Sequence, residues 1–200
     1  MAPSENTLGG RLPLLKPDDL TSDQHTLYTL LKSTMVPWAK KSGFQAETAD
    51  EELIGPFNGM LRSPRISKAL MGVTKAEGEH TDLSEKVRQV VILTVGVVWQ
   101  ADYELYAHAA VGEKAGLKEQ AIQMLAAGQR PEGLSIEEDV AYEFTHRLTT
   151  THQIDSALYE RALLIFGEKG LVDMIALAGQ YMTISGLLNT FAVPAPNAQI

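Results

Sequence analysis

The sequence predicts an all-α protein, and three observations carry the prediction. No stretch combines strict polar–apolar alternation with the turn residues of a hairpin. Apolar side chains recur instead three and four residues apart, the spacing of one helix face. Helix-start signals punctuate the chain: Thr21 with Gln24, Ser63 before Pro64, Ser84 before Glu85, Ser135 with Glu138, and Asp155. They mark out about seven helices joined by short turns.

Residues 1–16, broken by Pro3, Gly9, Gly10 and Pro13, read as an ill-ordered lead-in to a single helical domain over residues 17–200. A first helix is expected from about Ser22, with Leu27, Leu30, Leu31 and Met35 on its apolar face. Pro37 ends or kinks it, because proline removes a helix hydrogen bond. Residues 44–63 form a loop rich in apolar side chains, among them Leu53, Ile54, Phe57, Met60 and Leu61. A loop of that kind covers a pocket as a lid or packs into a partner subunit. Ser63-Pro64 opens a helix carrying Ile66, Leu70 and Met71.

The longest apolar run, Val90 to Trp99, follows the cap at Ser84. Directly after it comes the densest group of reactive side chains, Trp99 to His108. Whether the two helices here form one rod or a bent pair is open. Gly116 caps the second of them, and a short helix ends near Gly128. The box Ser135/Glu138 opens the next, Asp155 the one after, Gly167 to Gly170 breaks it, and a last helix spans about Leu171 to Thr190.

Two hundred residues suffice for a sizeable core, and 44% hydrophobic with 21% charged residues is the balance of a soluble globular chain. The net charge of −8 argues against nucleic acid as a partner, since phosphate binding needs a positive field. The apolar run is too short to span a bilayer, and the N-terminus lacks the pattern of a secretory signal, so neither membrane nor export is expected and the cytoplasm is the default location. With no cysteine in the chain, thiolate nucleophiles, disulfide exchange and cysteine-based metal sites are excluded.

Glu104 and His108 lie four apart, so a helix puts both on one face amid the small apolar residues Val97, Ala101, Val111 and Ala115. Burying them unpaired is costly, so either they satisfy each other structurally or they line a pocket and move protons. Tyr103, Tyr106 and Trp99 can stack on a flat substrate or serve as packing, with Tyr106 the better placed of the two tyrosines to join the pair. Arg88 can grip a substrate carboxylate in a two-point contact or pair with Glu85. Gln89, Asn189 and Tyr181 are candidate polar linings, and Trp38, Phe57 and Met60 a candidate apolar wall. His25, His80, His146 and His152 show no ligand spacing and read as surface or structural, so no metal is expected.

Several pieces in order resemble the core signature of carboxymuconolactone decarboxylase-like proteins, a superfamily shared with the alkyl hydroperoxide reductase D-type peroxidases. They are Arg88-Gln89 before Val90–Val98, then Tyr103-Glu104-Leu105-Tyr106-Ala107-His108, then Ala115-Gly116-Leu117. Ile54-Gly55-Pro56-Phe57-Asn58 and the segments Gln180-Tyr181 and Leu187 to Phe191 extend the likeness over residues 50 to 193. The resemblance implies an all-helical fold assembling into trimers or hexamers, with active sites at or near subunit contacts. It also implies acid–base chemistry without a cofactor. The two cysteine positions of the peroxidase branch are Ala101 and Glu104 here, and the acid usual after the helix arginine is Gln89. The Glu104–His108 spacing also differs from that of the lactone decarboxylases proper.

Two functions follow. One is a cofactor-independent acid–base enzyme, a decarboxylase, isomerase or lactone and ring enzyme, acting on a small carbonyl or carboxylate compound. In it His108 is the acid or base, Glu104 its partner, and Tyr106, Trp99, Tyr103, Arg88, Gln89 and Asn189 shape the substrate site. The other is a non-catalytic helical oligomer that binds a ligand or a partner protein.

Overall fold

A helix with apolar side chains on every side has to sit inside, and that rule places α4 (Glu85–Trp99) at the centre. Val87 and every residue from Gln89 to Gly96 are buried. The computed structural model describes residues 8–196. Around α4 it arranges α1 (Ser22–Ser42), α2 (Pro56–Met60), α3 (Pro64–His80), α5 (Asp102–Ala115), α6 (Glu119–Ala126), α7 (Ile136–Thr150) and α8 (Ser156–Thr190). A single 3-10 turn, Pro17–Asp19, and one isolated antiparallel bridge between Glu47 and Leu53 complete the regular structure among the described residues. α5, α6, α7 and α8 all pack on α4. One apolar cluster joins α4, α7 and α8, a second joins α4 to α6, and a third joins α1, α2, α5 and the end of α8.

The expected caps are present. The Thr21 N–H donates to Gln24 Oε1 (2.9 Å), Ser135 N–H to Glu138 Oε2 (3.1 Å), and Asp155 Oδ1 accepts from Leu158 N–H (2.9 Å). Gln100 adopts a left-handed conformation (φ 54°), so α4 and α5 are a bent pair, not one rod.

Three expectations change. α1 runs through Pro37 to Ser42. Within the described residues the lead-in is tied down: Arg11 N–H donates to Phe191 O (2.6 Å) and Leu15 N–H to Asn58 Oδ1 (3.2 Å). The apolar residues of the loop are not exposed: Leu53 through Leu61 are all buried, and part of the segment is helix, α2, inside the third cluster. The break expected at Gly167 to Gly170 is present: Gly167 (φ 66°, ψ 176°) leaves helical geometry, a conformation glycine tolerates, and divides α8 into two helical stretches.

Asp173 on α8 fastens the α3–α4 connection. Its carboxylate accepts from Asp82 N–H (3.0 Å), Thr81 Oγ1 (3.3 Å) and Lys169 Nζ (2.9 Å). Burial opposes its charge, but the bonds from Lys169, the Asp82 backbone and Thr81 outweigh burial and hold the carboxyl below its usual 3.8. A carboxyl depressed in the folded state adds stability above its unfolded value and loses it as pH falls through the folded one. Asp173→Asn is therefore expected to lower stability by about 1 kcal/mol at neutral pH. The difference should vanish below the folded-state value in thermal melts recorded against pH.

Candidate functional site

Among α1, α2, α3, α5 and α8 the third cluster leaves a cavity of about 50 Å³. Trp38 and Met35 of α1, Phe57 and Met60 of α2, Met71 and Thr74 of α3, and Gln180, Tyr181 and Ile184 of α8 contribute to its wall. α5 supplies Tyr103, Glu104, Ala107 and His108. At ~100° per residue these four span one arc of the helix, and Tyr106 falls outside it.

Glu104 and His108 are both buried, and His108 Nε2 lies 3.2 Å from Glu104 Oε1. The other ring nitrogen, Nδ1, is 2.7 Å from Gln89 Oε1 on α4. Gln89 in turn donates from Nε2 to Glu85 Oε1 (2.7 Å), and Glu85 is held by Arg88. That chain orients the amide: its nitrogen faces a carboxylate, so its oxygen faces the ring and Nδ1 carries a hydrogen. Nε2 and Oε1 then need one proton between them. The ring is flanked by Tyr181, edge-on at 4.9 Å between centroids, and by Trp38 at 6.1 Å. Burial pushes the Tyr181 phenol well above its usual 10, with the charge of Glu104 adding to the effect, so it stays a hydrogen donor.

Gln180 was not foreseen as a site residue. Its Nε2 donates to Thr74 Oγ1 (2.6 Å), while its buried Oε1 has no partner. A buried acceptor left this way costs about 1–3 kcal/mol. The signal in the sequence was a lone glutamine inside the apolar segment Leu177 to Ile184.

The structure brings Glu104, His108 and Tyr103 to the cavity, together with Trp38, Phe57, Met60 and Tyr181. Gln89 stands behind His108 rather than in the wall. Four other candidates lie elsewhere. The Arg88 guanidinium is bound by Glu77 (Nε to Oε1, 2.9 Å) and by Glu85, so it has no free edge for a substrate carboxylate. Burial opposes its charge, but Glu77 and Glu85 outweigh that and strengthen its hold on its proton. Tyr106, not Tyr103, is the tyrosine turned away, and its hydroxyl accepts from Gln45 N–H (3.0 Å). Trp99 is 38% exposed at the end of α4, where its carbonyl accepts from Asn189 Nδ2, and both residues line a separate surface groove. Among the described residues no three His, Cys, Asp or Glu side chains gather in metal-binding range, and no helix is long and apolar enough to cross a membrane.

Residues 64–146 match the model of the carboxymuconolactone decarboxylase family. No curated protein matches the chain by sequence. Several solved structures share the fold. An uncharacterized peroxidase-related protein from Silicibacter sp. TM1040 superposes with a TM-score of 0.73 at 16% identity, covering 98% of this chain and 96% of that one. A peroxidase-related protein with an alkylhydroperoxidase AhpD core, from Ralstonia eutropha JMP134, gives 0.71 at 13% identity, covering 94% and 93%. A variant of the debrominase Bmp8 in complex with 2,3,4-tribromopyrrole gives 0.68 at 13% identity, covering 97% and 94%. The signature region thus matches the carboxymuconolactone decarboxylase family, and the fold is shared with these solved structures along nearly the whole length.

Proposed function

We propose that this chain is a cofactor-independent acid–base enzyme that moves a proton at the carbon next to the carbonyl of a small compound. The observation that carries the reading is the buried Nε2–Oε1 contact of 3.2 Å in the cavity wall, with the ring held from behind by Gln89. With the shared proton in place the pair is an acid. Without it a nitrogen lone pair faces a carboxylate, and the pair is a base. A carbon-bound proton passes to His108 Nε2, the bonding electrons move into the enolate, and Glu104 stabilises the new imidazolium. The Tyr181 phenol is the donor for the enolate oxygen. The proton then returns to carbon, which gives isomerisation; with the pair starting as the acid, its proton goes instead to the carbanion left by carbon dioxide loss, which gives decarboxylation. The family is named for a decarboxylase, and the debrominase shows that its fold hosts catalysis.

The test is deuterium incorporation from heavy water into small enolisable ketones and hydroxycarbonyl compounds, followed by NMR. Wild-type protein is expected to accelerate exchange for at least one of them. Exchange at the buffer rate throughout the panel would sink the reading.

A cytoplasmic homo-oligomer, a trimer or hexamer, is part of the same proposal. Ile66 and Val73 of α3 and Leu164, Val172 and Ile175 of α8 are exposed, and apolar surface of this kind marks contact sites. Light scattering is expected to give a mass of three or six chains, reduced by Leu164→Glu with Val172→Glu. A wild-type monomer contradicts it.

A further inference from the structure

The unpartnered oxygen of Gln180 has a consequence for what the cavity can hold. Gln180 is 92% buried, its exposure being 8%, and its side chain forms part of the cavity wall. Thr74 settles which end of the amide faces which way. The Thr74 hydroxyl donates to Leu70 O (3.3 Å), which leaves its lone pairs to the Gln180 Nε2–H at 2.6 Å. Oε1 is then an acceptor with no donor. The charges around the cavity restrict the ligand further. Glu104 is in the wall, no lysine or arginine is among the described lining residues, and Arg88 is occupied by Glu77 and Glu85. His108 at most neutralises Glu104, so the wall carries no net positive charge to hold an anionic ligand.

We propose that the substrate is an uncharged compound bearing an N–H or O–H group, and that Gln180 selects it by accepting that hydrogen at Oε1. This rests on the cavity being the substrate site, and it narrows the substrate from a carbonyl or carboxylate compound to a hydroxyl- or N–H-bearing carbonyl compound. The other end of the amide remains fixed by Thr74 of α3.

Three probes test it in the full-length protein: pyrrole, its near-isostere furan, and pyrrole-2-carboxylate. None is enolisable, so the outcome does not depend on the chemistry assigned to His108. NMR titration is expected to show pyrrole binding about fivefold tighter than furan, the net worth of one neutral hydrogen bond. Pyrrole should also shift the Gln180 side-chain amide resonances and bind more tightly than its carboxylate. Gln180→Met is expected to bring the pyrrole-to-furan ratio to about one while furan binding is retained. The wild-type ratio and the amide shift decide the matter even if that variant folds poorly. Equal affinities, a preference for furan, a preference for the carboxylate, or no binding up to the solubility limit each overturn the inference. Deuterium exchange with an absent pyrrole preference would overturn this inference and leave the acid–base reading standing. The preference without any exchange would do the reverse.

Discussion

His108→Asn is expected to lower catalysed deuterium exchange about a thousandfold, the middle of the range that a positioned acid or base supplies. Asparagine keeps an amide N–H able to reach Gln89 but offers no group that can take a proton toward Glu104. Loss of the ring also leaves Glu104, 3% exposed, without its partner, and an unpaired buried carboxylate lowers stability. Unfolding and lost chemistry therefore have to be separated. Glu104→Gln does this: its amide can still donate to Nε2, so thermal stability should stay near wild type while exchange falls by a similar factor. Near-wild-type exchange in a folded Glu104→Gln protein would remove the pair from the mechanism.

Gly55→Ala is expected to destabilise the protein by about 3 kcal/mol or more, or roughly 10 °C in melting temperature for a chain of this size. Two causes add. Gly55 has φ 63° and ψ −144°, a conformation open essentially to glycine alone. A methyl group there would also overlap the Tyr103 ring, with the phenol oxygen 2.7 Å away. That ring has nowhere to go: Tyr103 is 1% exposed, its hydroxyl donates to the Gln45 carbonyl, and it packs edge-on against Tyr106 at 5.9 Å. Because Tyr103 lines the cavity and Pro56 and Phe57 follow the glycine directly, exchange activity should fall with stability. Chemical denaturation of the two proteins checks it, and a shift under about 1 kcal/mol would show that the wall can yield.

What could be read in advance was local. Thr21, Ser84, Ser135 and Asp155 declare helix starts through partners within three residues, and the structure has helices beginning at each. The Glu104–His108 contact is likewise a within-helix spacing. What stayed hidden depends on other elements. The Gln89–His108 bond crosses from α4 to α5, and the Gln180–Thr74 bond joins residues 106 apart. Residues 44–63 looked like an exposed apolar loop, yet Gly55 turns Pro56–Leu61 inward and Leu53–Leu61 become core. Trp99 shared a polar, aromatic neighbourhood with the site in sequence, but it ends α4 before the left-handed turn at Gln100 and lines a different surface with Asn189 of α8.

The amide at Gln89 has one more implication. A carboxylate in its place could both steer the ring and receive the Nδ1 hydrogen, opening a conducting line from the cavity through His108 toward Glu85. An amide steers and insulates. It grips Nδ1–H at 2.7 Å but has no way to accept that proton, so the wire is cut one bond behind the imidazole. In the proposed mechanism, proton traffic is thereby confined to the cavity side of the ring. The charged cluster of Glu77, Arg88 and Glu85 then holds Gln89 in place from outside the proposed proton path.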